Sequence, residues 1–296
     1  MADPKASPTV GYSKNCGNQV CTCQASTHTS YCSEQCEHSP PPVPCAVAEC
    51  YRSLREGREF QGGLWMACLL FKPHYGLLLG LLLIWKRRWR AVAGVAVGGG
   101  IVIGGSIVVP GLPALLSYPT SFIEMAKFRQ NVDDYLHMIN WRSLVLTFRP
   151  GVNDLKGMLL TQFLGVITVL FTALAWRGPW APRDVRFPSQ FTLLLLATLL
   201  ANHHSFNYGA AILAVPIVSV MAEGRPNRVT RLAVIAGVIL PTLFFTLVKF
   251  LDVPVASRIL TFSLLTCYGG LLVELWRWNW TMAEVERQTI YAGERS

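Results

Sequence analysis

A lysine and a proline lie in the middle of a long apolar run. The stretch LWMACLLFKPHYGLLLGLLLIWKRRWR begins at Leu64 and carries Lys72, Pro73 and His74 near its centre. A charged side chain at bilayer depth costs at least about 2–3 kcal/mol, and proline breaks or kinks a helix. The pattern indicates a cation that faces a cavity and could hold an anionic group. The alternative is a kinked single span from which Lys72 reaches the interface.

A second group of polar residues interrupts the apolar sequence further along the chain. The stretch ANHHSFNYGA at 201–210 brings together four hydrogen-bonding side chains, those of His203, His204, Asn207 and Tyr208. Adjacent side chains on a helix diverge by about 100°, and no acidic third ligand lies nearby, so we predict no metal site. Hydrogen bonding to a sugar or a phosphate needs no such convergence. The alternative is a belt of aromatic and histidine side chains at the membrane interface.

The composition predicts the elements that position these residues. Of the 296 residues, 52% are hydrophobic and 15% are charged, and the mean hydropathy is +0.37, whereas a soluble domain carries about 25% charged residues. The charges lie between apolar runs of helix-spanning length, roughly 20 residues. We therefore predict an all-α, polytopic protein of the lipid bilayer. The net charge of +9 then reports loop orientation, and no nucleic-acid partner is expected, because no basic stripe lies on a soluble face.

The predicted topology has about six full transmembrane helices of spanning length and one broken segment. The apolar segments are 62–85, 91–109, 157–176, 187–201, 209–222, 232–250 and 255–276. Basic loops stay on the cytoplasmic side of a membrane, and three loops are clearly basic, at 86–90, 177–186 and 223–231. We expect the long loop at 110–156 to face outward. This alternation predicts a multi-pass protein of the plasma membrane with its C-terminus in the cytoplasm.

The first apolar segment does not fit this alternation as a single crossing. Arg52, Arg55 and Arg58 precede it and KRRWR follows it, so both flanks should be cytoplasmic. Two half-length helices satisfy both flanks, one from about Gly62 to Phe71 and one from His74 to Trp85. Broken helices at membrane depth occur where protein or a water-filled cavity shelters the backbone. We therefore predict a helical hairpin that turns at Lys72 and Pro73.

The first residues of the chain belong to a different class of sequence. Seven of the nine cysteines lie between Cys16 and Cys50, in a segment rich in Ser, Thr and Pro. Their spacing fits no standard zinc pattern, and an odd count without a signal peptide argues against a disulfide framework. We interpret 1–51 as a disordered tail; a misread stretch of sequence is the alternative. The predicted membrane domain covers 52–277, and a cytoplasmic tail covers 278–296.

The stretch GLWMACLLFKPHYGLLLGLLLIWKRRWRAVAG resembles glycosyltransferase family 87, whose members are polytopic enzymes of the GT-C class. The stretches YLHMINWRSL and HHSFNYGAAIL follow it in the expected order. The resemblance implies a GT-C-like fold and transfer of a hexose, often mannose, from a polyprenyl-phosphate sugar donor. The acceptor would be a lipid or a glycan outside the cytoplasm. No cofactor is implied beyond this lipid-linked donor.

The family chemistry assigns expected roles to the polar residues. A fixed cation in a water-poor cavity stabilises the charge that develops on the carrier phosphate. Lys72 would supply that charge, with His74, Arg142, His203, His204, Asn207 and Tyr208 as further contacts to phosphate or substrate. The acceptor hydroxyl needs a base, and Asp133 and Asp134 are weak candidates that also fit a solvated loop. The resemblance begins after the family's first outward loop and its aspartate, which leaves open whether the chain is an inactive fragment.

Two other classes of function compete with the transferase. A transporter or flippase of a lipid-linked sugar would also use broken helices and cavity charges, but the chain shows no pair of equivalent halves. A non-catalytic membrane scaffold would use the small-residue spacing of Gly94/Gly98 and Gly100/Gly104 for close helix packing. That packing can equally lie within one chain. We rank the transferase first, the transporter second and the scaffold third.

Overall fold

The computed structural model describes residues 15–16, 19–20, 42–71, 73–108, 138–148, 155–202, 205, 207–222, 226–236 and 253–293, with short pieces at 112–113, 116–117 and 120. The chain divides into two units, Met1–Pro41 and Pro42–Ser296. In the first unit, strands β1 (Asn15–Cys16) and β2 (Gln19–Val20) pair antiparallel. The remainder of the predicted tail up to Pro41 lies outside the described residues, so its disorder stays a prediction.

The second unit is built from α-helices, which confirms the predicted class of an all-α membrane protein. The helices in chain order are α1 (Pro42–Arg55), α2 (Glu59–Ala67), α3 (Pro73–Trp85), α4 (Trp89–Val108), α5 (Trp141–Phe148), α6 (Leu155–Ala175), α7 (Phe187–Ala201), α8 (Ala214–Ala222), α9 (Arg228–Val234) and α10 (Val253–Gly293). Two 3₁₀-helices, Cys68–Phe71 and Asn207–Leu213, precede α3 and α8. The predicted boundary at 277/278 falls inside α10.

Helix α1 begins ten residues before the predicted start of the membrane domain, so the predicted boundary at 51/52 falls inside it. The residues of one helix face are buried, and they recur at helical spacing: Ala46, Val47, Cys50, Tyr51 and Leu54. Prolines are tolerated in a first helical turn, because the backbone N–H groups there have no helical partner. Buried cysteine packs as a small hydrophobic residue, and burial raises the pKa of the free Cys50 thiol to about 12.

The chain reverses direction where the Lys-Pro turn was predicted. The first arm ends at Phe71 and α3 begins at Pro73. A Cβ added to Gly76 would lie 3.6 Å from Leu69 Cβ, and one added to Gly80 would lie 3.2 Å from Met66 Cε. The contacts move backward along the first arm as they move forward along α3, so the two arms are antiparallel. The predicted helical hairpin is therefore a feature of the structure.

Helix α4 packs against α2 at backbone distance. A side chain at Gly63 would overlap the carbonyl oxygen of Ala91, and a side chain at Gly94 would overlap that of Phe60. A Cβ added to Gly98 would also lie 3.3 Å from the carbonyl oxygen of Leu64. Small residues permit such close approach of two helices. The predicted small-residue spacing of Gly94/Gly98 thus serves packing within one chain.

Three of the described helical segments are long and apolar enough to cross a membrane, Trp89–Val108, Lys156–Ala175 and Arg258–Asn279. Two predicted spans are shorter apolar helices, Phe187–Ala201 and Gly209–Ala222. Helix α7, with 15 residues, is about 22 Å long and is buried along nearly its whole length. It forms the centre of the bundle. Most of the predicted span at 232–250 lies outside the described residues.

Three of the segments that were predicted to be cytoplasmic meet at one end of the bundle, which we call the basic end. Arg88, before α4, forms an ion pair with Glu59 at the start of α2, at 3.3 Å. Lys86 donates hydrogen bonds to the carbonyl oxygens of Trp176 and Gly178 after α6. Arg55 donates to the carbonyl oxygens of Pro182 and Asp184 before α7. The segment before α2 and the loops at 86–90 and 177–186 therefore share one side, as the predicted topology requires; these contacts do not include the third basic loop, at 223–231.

Candidate functional site

Two polar segments that the sequence singled out are hydrogen-bonded to each other. The Ile139 N–H donates to the carbonyl oxygen of Ser205 at 2.8 Å. The side-chain amide of Asn140 donates to the carbonyl oxygen of Asn202, also at 2.8 Å. Ile139, Asn140 and Ser205 are fully buried. These bonds join the start of α5 to the bend after α7, which carries the HHSFNY sequence.

Asn140 also caps helix α5. Its Oδ1 accepts the N–H of Ser143 at 2.9 Å, which satisfies one of the backbone donors that a helix start leaves unpaired. The indole N–H of Trp141 donates to Thr168 Oγ1 on α6 at 2.8 Å. Arg142 follows as the second residue of the helix. It is half-buried, and its guanidinium makes no hydrogen bond or ion pair with another described residue. The bonds of Asn140 and Trp141 thus fix its place in the helix, while the guanidinium is available.

The bend after α7 is closed by its own hydrogen bond. Asn202 ends the helix in an extended conformation, with φ −83° and ψ 136°. Its side-chain amide donates to Ser205 Oγ at 3.2 Å, across the His203–His204 pair. The residues on both sides of the two histidines are thereby tied to each other and to the N-terminus of α5.

The Lys-Pro turn reaches the same region through Tyr75. This tyrosine lies in the first turn of α3 and is buried. A side chain at Gly209, in the 3₁₀-helix after the bend, would overlap the Tyr75 hydroxyl and lie 3.3 Å from Leu199 Cδ2. The absence of a side chain at Gly209 lets the two segments pack together. Three segments that are distant in sequence thus converge around Tyr75, Asn140 and Asn202.

The three segments converge beside the middle of helix α6. A Cβ added to Gly165 would lie 3.5 Å from the carbonyl oxygen of Ala201. Gly165 is the midpoint of α6, about 15 Å from either end at 1.5 Å per residue. Irregular backbone at membrane depth requires shelter by protein or by a water-filled cavity. The bend after α7 therefore lies beside the middle of α6 and not at either end of it.

Several of the predicted site residues lie outside the described part of the chain. These are Lys72, His203, His204, Asp133 and Asp134. His74, Asn207 and Tyr208 are described as helical backbone only, within α3 and the second 3₁₀-helix. Arg142 is the predicted residue whose side chain the structure describes. Among the residues it describes, no group of three or more His, Cys, Asp or Glu side chains could hold a metal ion.

The residues that organise the region were not predicted. Asn140 stands directly before the WRSL helix start, which is a helix N-cap pattern, so its capping role could have been found from sequence. The pairing of Asn140 with Asn202 had no such pattern, because the partners are 62 residues apart. Tyr75 and Gly209 are even farther apart in the chain, so no local pattern relates them either. Only the packing of α3, α6 and α7 brings these residues together.

The described helices, three of them long and apolar enough to cross a membrane, define an all-α membrane protein in which the bend after α7 is held against the start of α5. The family model of glycosyltransferase family 87 matches residues 43–202, more than half of the chain of 296. The chain belongs to glycosyltransferase family 87, which confirms the resemblance. The match begins at the start of α1 and ends at Asn202, and thus contains the hairpin and the Asn140–Asn202 hydrogen bond but not Ser205. No curated protein and no solved structure gives a significant match.

Proposed function

We propose that this protein transfers a hexose from a polyprenyl-phosphate carrier to a lipid or glycan acceptor. Membership in glycosyltransferase family 87 makes glycosyl transfer the activity class. The observation that carries the proposal further is the pair of 2.8 Å hydrogen bonds between 139–140 and 202–205. They join the segment of Arg142 to the segment of His203 and His204 at membrane depth, where the head of a lipid-linked donor would have to reach.

The donor chemistry explains why cations would gather there. The phosphodiester is an anion, and the carrier phosphate gains charge as the bond from the sugar to the phosphate oxygen breaks. Fixed donors in a water-poor site are worth far more than the same donors in water. Arg142, half-buried at the anchored start of α5, is placed to contact such an anion. Lys72, His74, His203, His204, Asn207 and Tyr208 are proposed to complete the substrate contacts.

The acceptor hydroxyl loses a proton when the new glycosidic bond forms, so a base is needed. We propose Asp133 and Asp134 as the first carboxylates to test, since they precede the anchored segment at 138–140. We also propose that the basic end faces the cytoplasm and that transfer occurs on the opposite side of the plasma membrane. Clustered Lys and Arg in short loops support that orientation.

A direct assay tests the proposal. Membranes containing the full chain would be supplied with polyprenyl phosphate carrying radiolabelled mannose, then other hexoses, and label leaving the carrier would be measured. Arg142→Gln should lower transfer roughly 10²-fold, the scale for losing one donor to a developing anion. Arg142→Lys should retain part of the activity, because the charge survives. Arg231→Gln, which removes an exposed arginine on α9, is the matched control.

The same assay separates the competing functions. A transporter of the lipid-linked sugar would move label across a sealed vesicle with the sugar–phosphate bond intact. A scaffold would do neither. If label leaves the carrier for none of the hexoses at verified membrane abundance, the transferase proposal is wrong.

A further inference from the structure

A groove runs between α3 and α6 at the basic end of the bundle, on a surface with exposed apolar side chains. Its volume is about 170 Å³, and its walls include Leu78, Leu81 and Trp85 of α3 with Val169 and Ala173 of α6. The side chains of Leu81 and Trp85 are 53% and 51% exposed. Pockets that enclose whole drug-sized ligands are roughly 300–1,000 Å³. This groove therefore accommodates only a stretch of hydrocarbon chain.

Basic residues lie next to the part of the groove that Trp85 lines. Trp85 ends α3, and the following Lys86 donates to the carbonyl oxygen of Gly178 at 2.7 Å and lies 4.4 Å from the centre of the Trp85 ring. This contact brings the loop after α3 against the loop after α6. The neighbouring residues Arg87 and Arg177 are therefore on adjoining loops, and both are exposed.

The two arginines differ from Arg55, Arg88 and Arg186. Arg55 is engaged by backbone carbonyls, and Arg88 and Arg186 form ion pairs with carboxylates. The guanidinium groups of Arg87 and Arg177 have no hydrogen-bond or ion-pair partner within the described ranges. Their charges are thus available to a ligand at the end of the groove.

The backbone at Arg87 is strained. The Arg87 N–H donates to the Ile84 carbonyl at 3.0 Å and the Arg88 N–H to the Leu83 carbonyl at 2.9 Å, which is the helix-ending motif that places its C′ residue in the left-handed region. Arg87 has φ +53°, a position that favours glycine. A glycine at this position would relieve the strain, so the arginine there points to a role for the Arg87 side chain.

We propose that the groove binds one anionic phospholipid, with part of an acyl chain between α3 and α6 and its phosphate held by Arg87 and Arg177. The arginine fork matches phosphate oxygens in two-point contact, and tryptophan favours the same interfacial depth. The site is separate from the polar bend, because Tyr75 and Trp85 lie ten residues apart on α3, about 15 Å. The proposal does not depend on the transferase activity.

Photolabelling tests the lipid. The full chain would be reconstituted in phosphatidylcholine nanodiscs containing a minor fraction of phosphatidylglycerol with a photoreactive acyl chain, and labelled peptides of α3 and α6 would be quantified. Labelling should exceed that by the matching phosphatidylcholine probe at least about tenfold, since each arginine is worth roughly fivefold in affinity for an anionic headgroup. Inorganic phosphate at constant ionic strength should not compete. Equal labelling by both probes, or displacement by inorganic phosphate, would overturn the proposal.

Two variants and two controls sharpen the test. Arg87→Gly should raise Tm by relieving the left-handed strain and yet lower labelling about fivefold; a purely structural arginine could not move stability and binding in opposite directions. Leu81→Trp should block the groove, whereas Leu77→Trp, at an exposed position of α3 outside it, should label normally. Arg183→Gln is the control for loss of a basic-end charge. Unchanged labelling of Arg87→Gly or of Leu81→Trp would contradict the site.

Discussion

The side-chain amide of Asn140 donates to the carbonyl oxygen of Asn202, 2.8 Å away and 62 residues later in the chain. The same side chain accepts the N–H of Ser143 and so caps α5. One buried residue therefore sets the start of the helix that carries Arg142 and fixes the bend that carries His203 and His204.

Asn140→Ala should lose both functions of this side chain. Losing an N-cap costs about 0.5–2 kcal/mol, and losing the hydrogen bond to the Asn202 carbonyl adds about 0.5–1.5 kcal/mol, so Tm in detergent should fall clearly. Asn140→Ser can restore the cap but is too short to reach Asn202, and should recover only part of the loss. Equal Tm values for the Ser variant and the wild type would argue against a role of the Asn202 contact.

Gly209→Ala should be destabilising because its methyl group would overlap the Tyr75 hydroxyl. Overpacking of this kind costs roughly 1–3 kcal/mol. Tyr75→Phe removes the overlapping atom, so the double variant should be more stable than the two single effects predict when added. Thermal unfolding of all four proteins gives the coupling. Gly178→Ala, which has nothing within 4 Å, is the control, and purely additive effects would refute the contact.

Lys72→Met should leave membrane abundance intact, since it removes a charge from an apolar run. Transfer should nevertheless fall by roughly 10²-fold or more if Lys72 holds the carrier phosphate, and Lys72→Arg should retain part of it. Turnover is compared at equal abundance in the assay described above. A kinked span with an interfacial lysine predicts a neutral or mildly stabilised Met variant with persisting activity.

The loop before α7 should weaken in acid. Burial alone would raise the pKa of Asp184, but hydrogen bonds from Arg186 and the charges of Arg186 and Arg55 outweigh it, so the pKa is lowered. The unfolded state, with a pKa of about 3.9, then binds more protons, and stability rises with pH across the window between the two values. The Asp184 contribution is present above about pH 4 and is lost as pH falls through the lower folded pKa. Asp184→Asn should flatten this part of the stability–pH curve.

The hairpin could be predicted because charge and geometry conflicted within one segment. Basic residues on both sides of 62–85 ruled out one ordinary crossing, and Pro73 supplied the break. Helix α1 was missed because its prolines and cysteines are typical of tails, although Pro42 and Pro44 occupy the first helical turn and Cys50 is a core residue. Composition alone does not show that α1 is a packed helix. That becomes clear only from its packing partners, such as the Phe191 ring, whose centre lies 5.2 Å from that of Tyr51.

The depth of the site was not predictable. Apolar runs of 15 residues fit either a short span or a buried helix, and only the packing of Gly165 against Ala201 shows that α7 ends halfway along α6. Asn140 was accessible as a cap from local sequence, but its contact with Asn202 depends on that register. The relative heights of helices arise from long-range packing, which no local pattern encodes.

The hairpin has a consequence for how such proteins can change over evolution. Its two ends lie together at the basic end, where Arg88 pairs with Glu59. A segment that begins and ends on the same side of the protein does not change the direction of any helix that follows it. A family could therefore gain, lose or duplicate this unit without inverting the remainder of the protein, whereas the loss of one full crossing would turn every later loop to the opposite side.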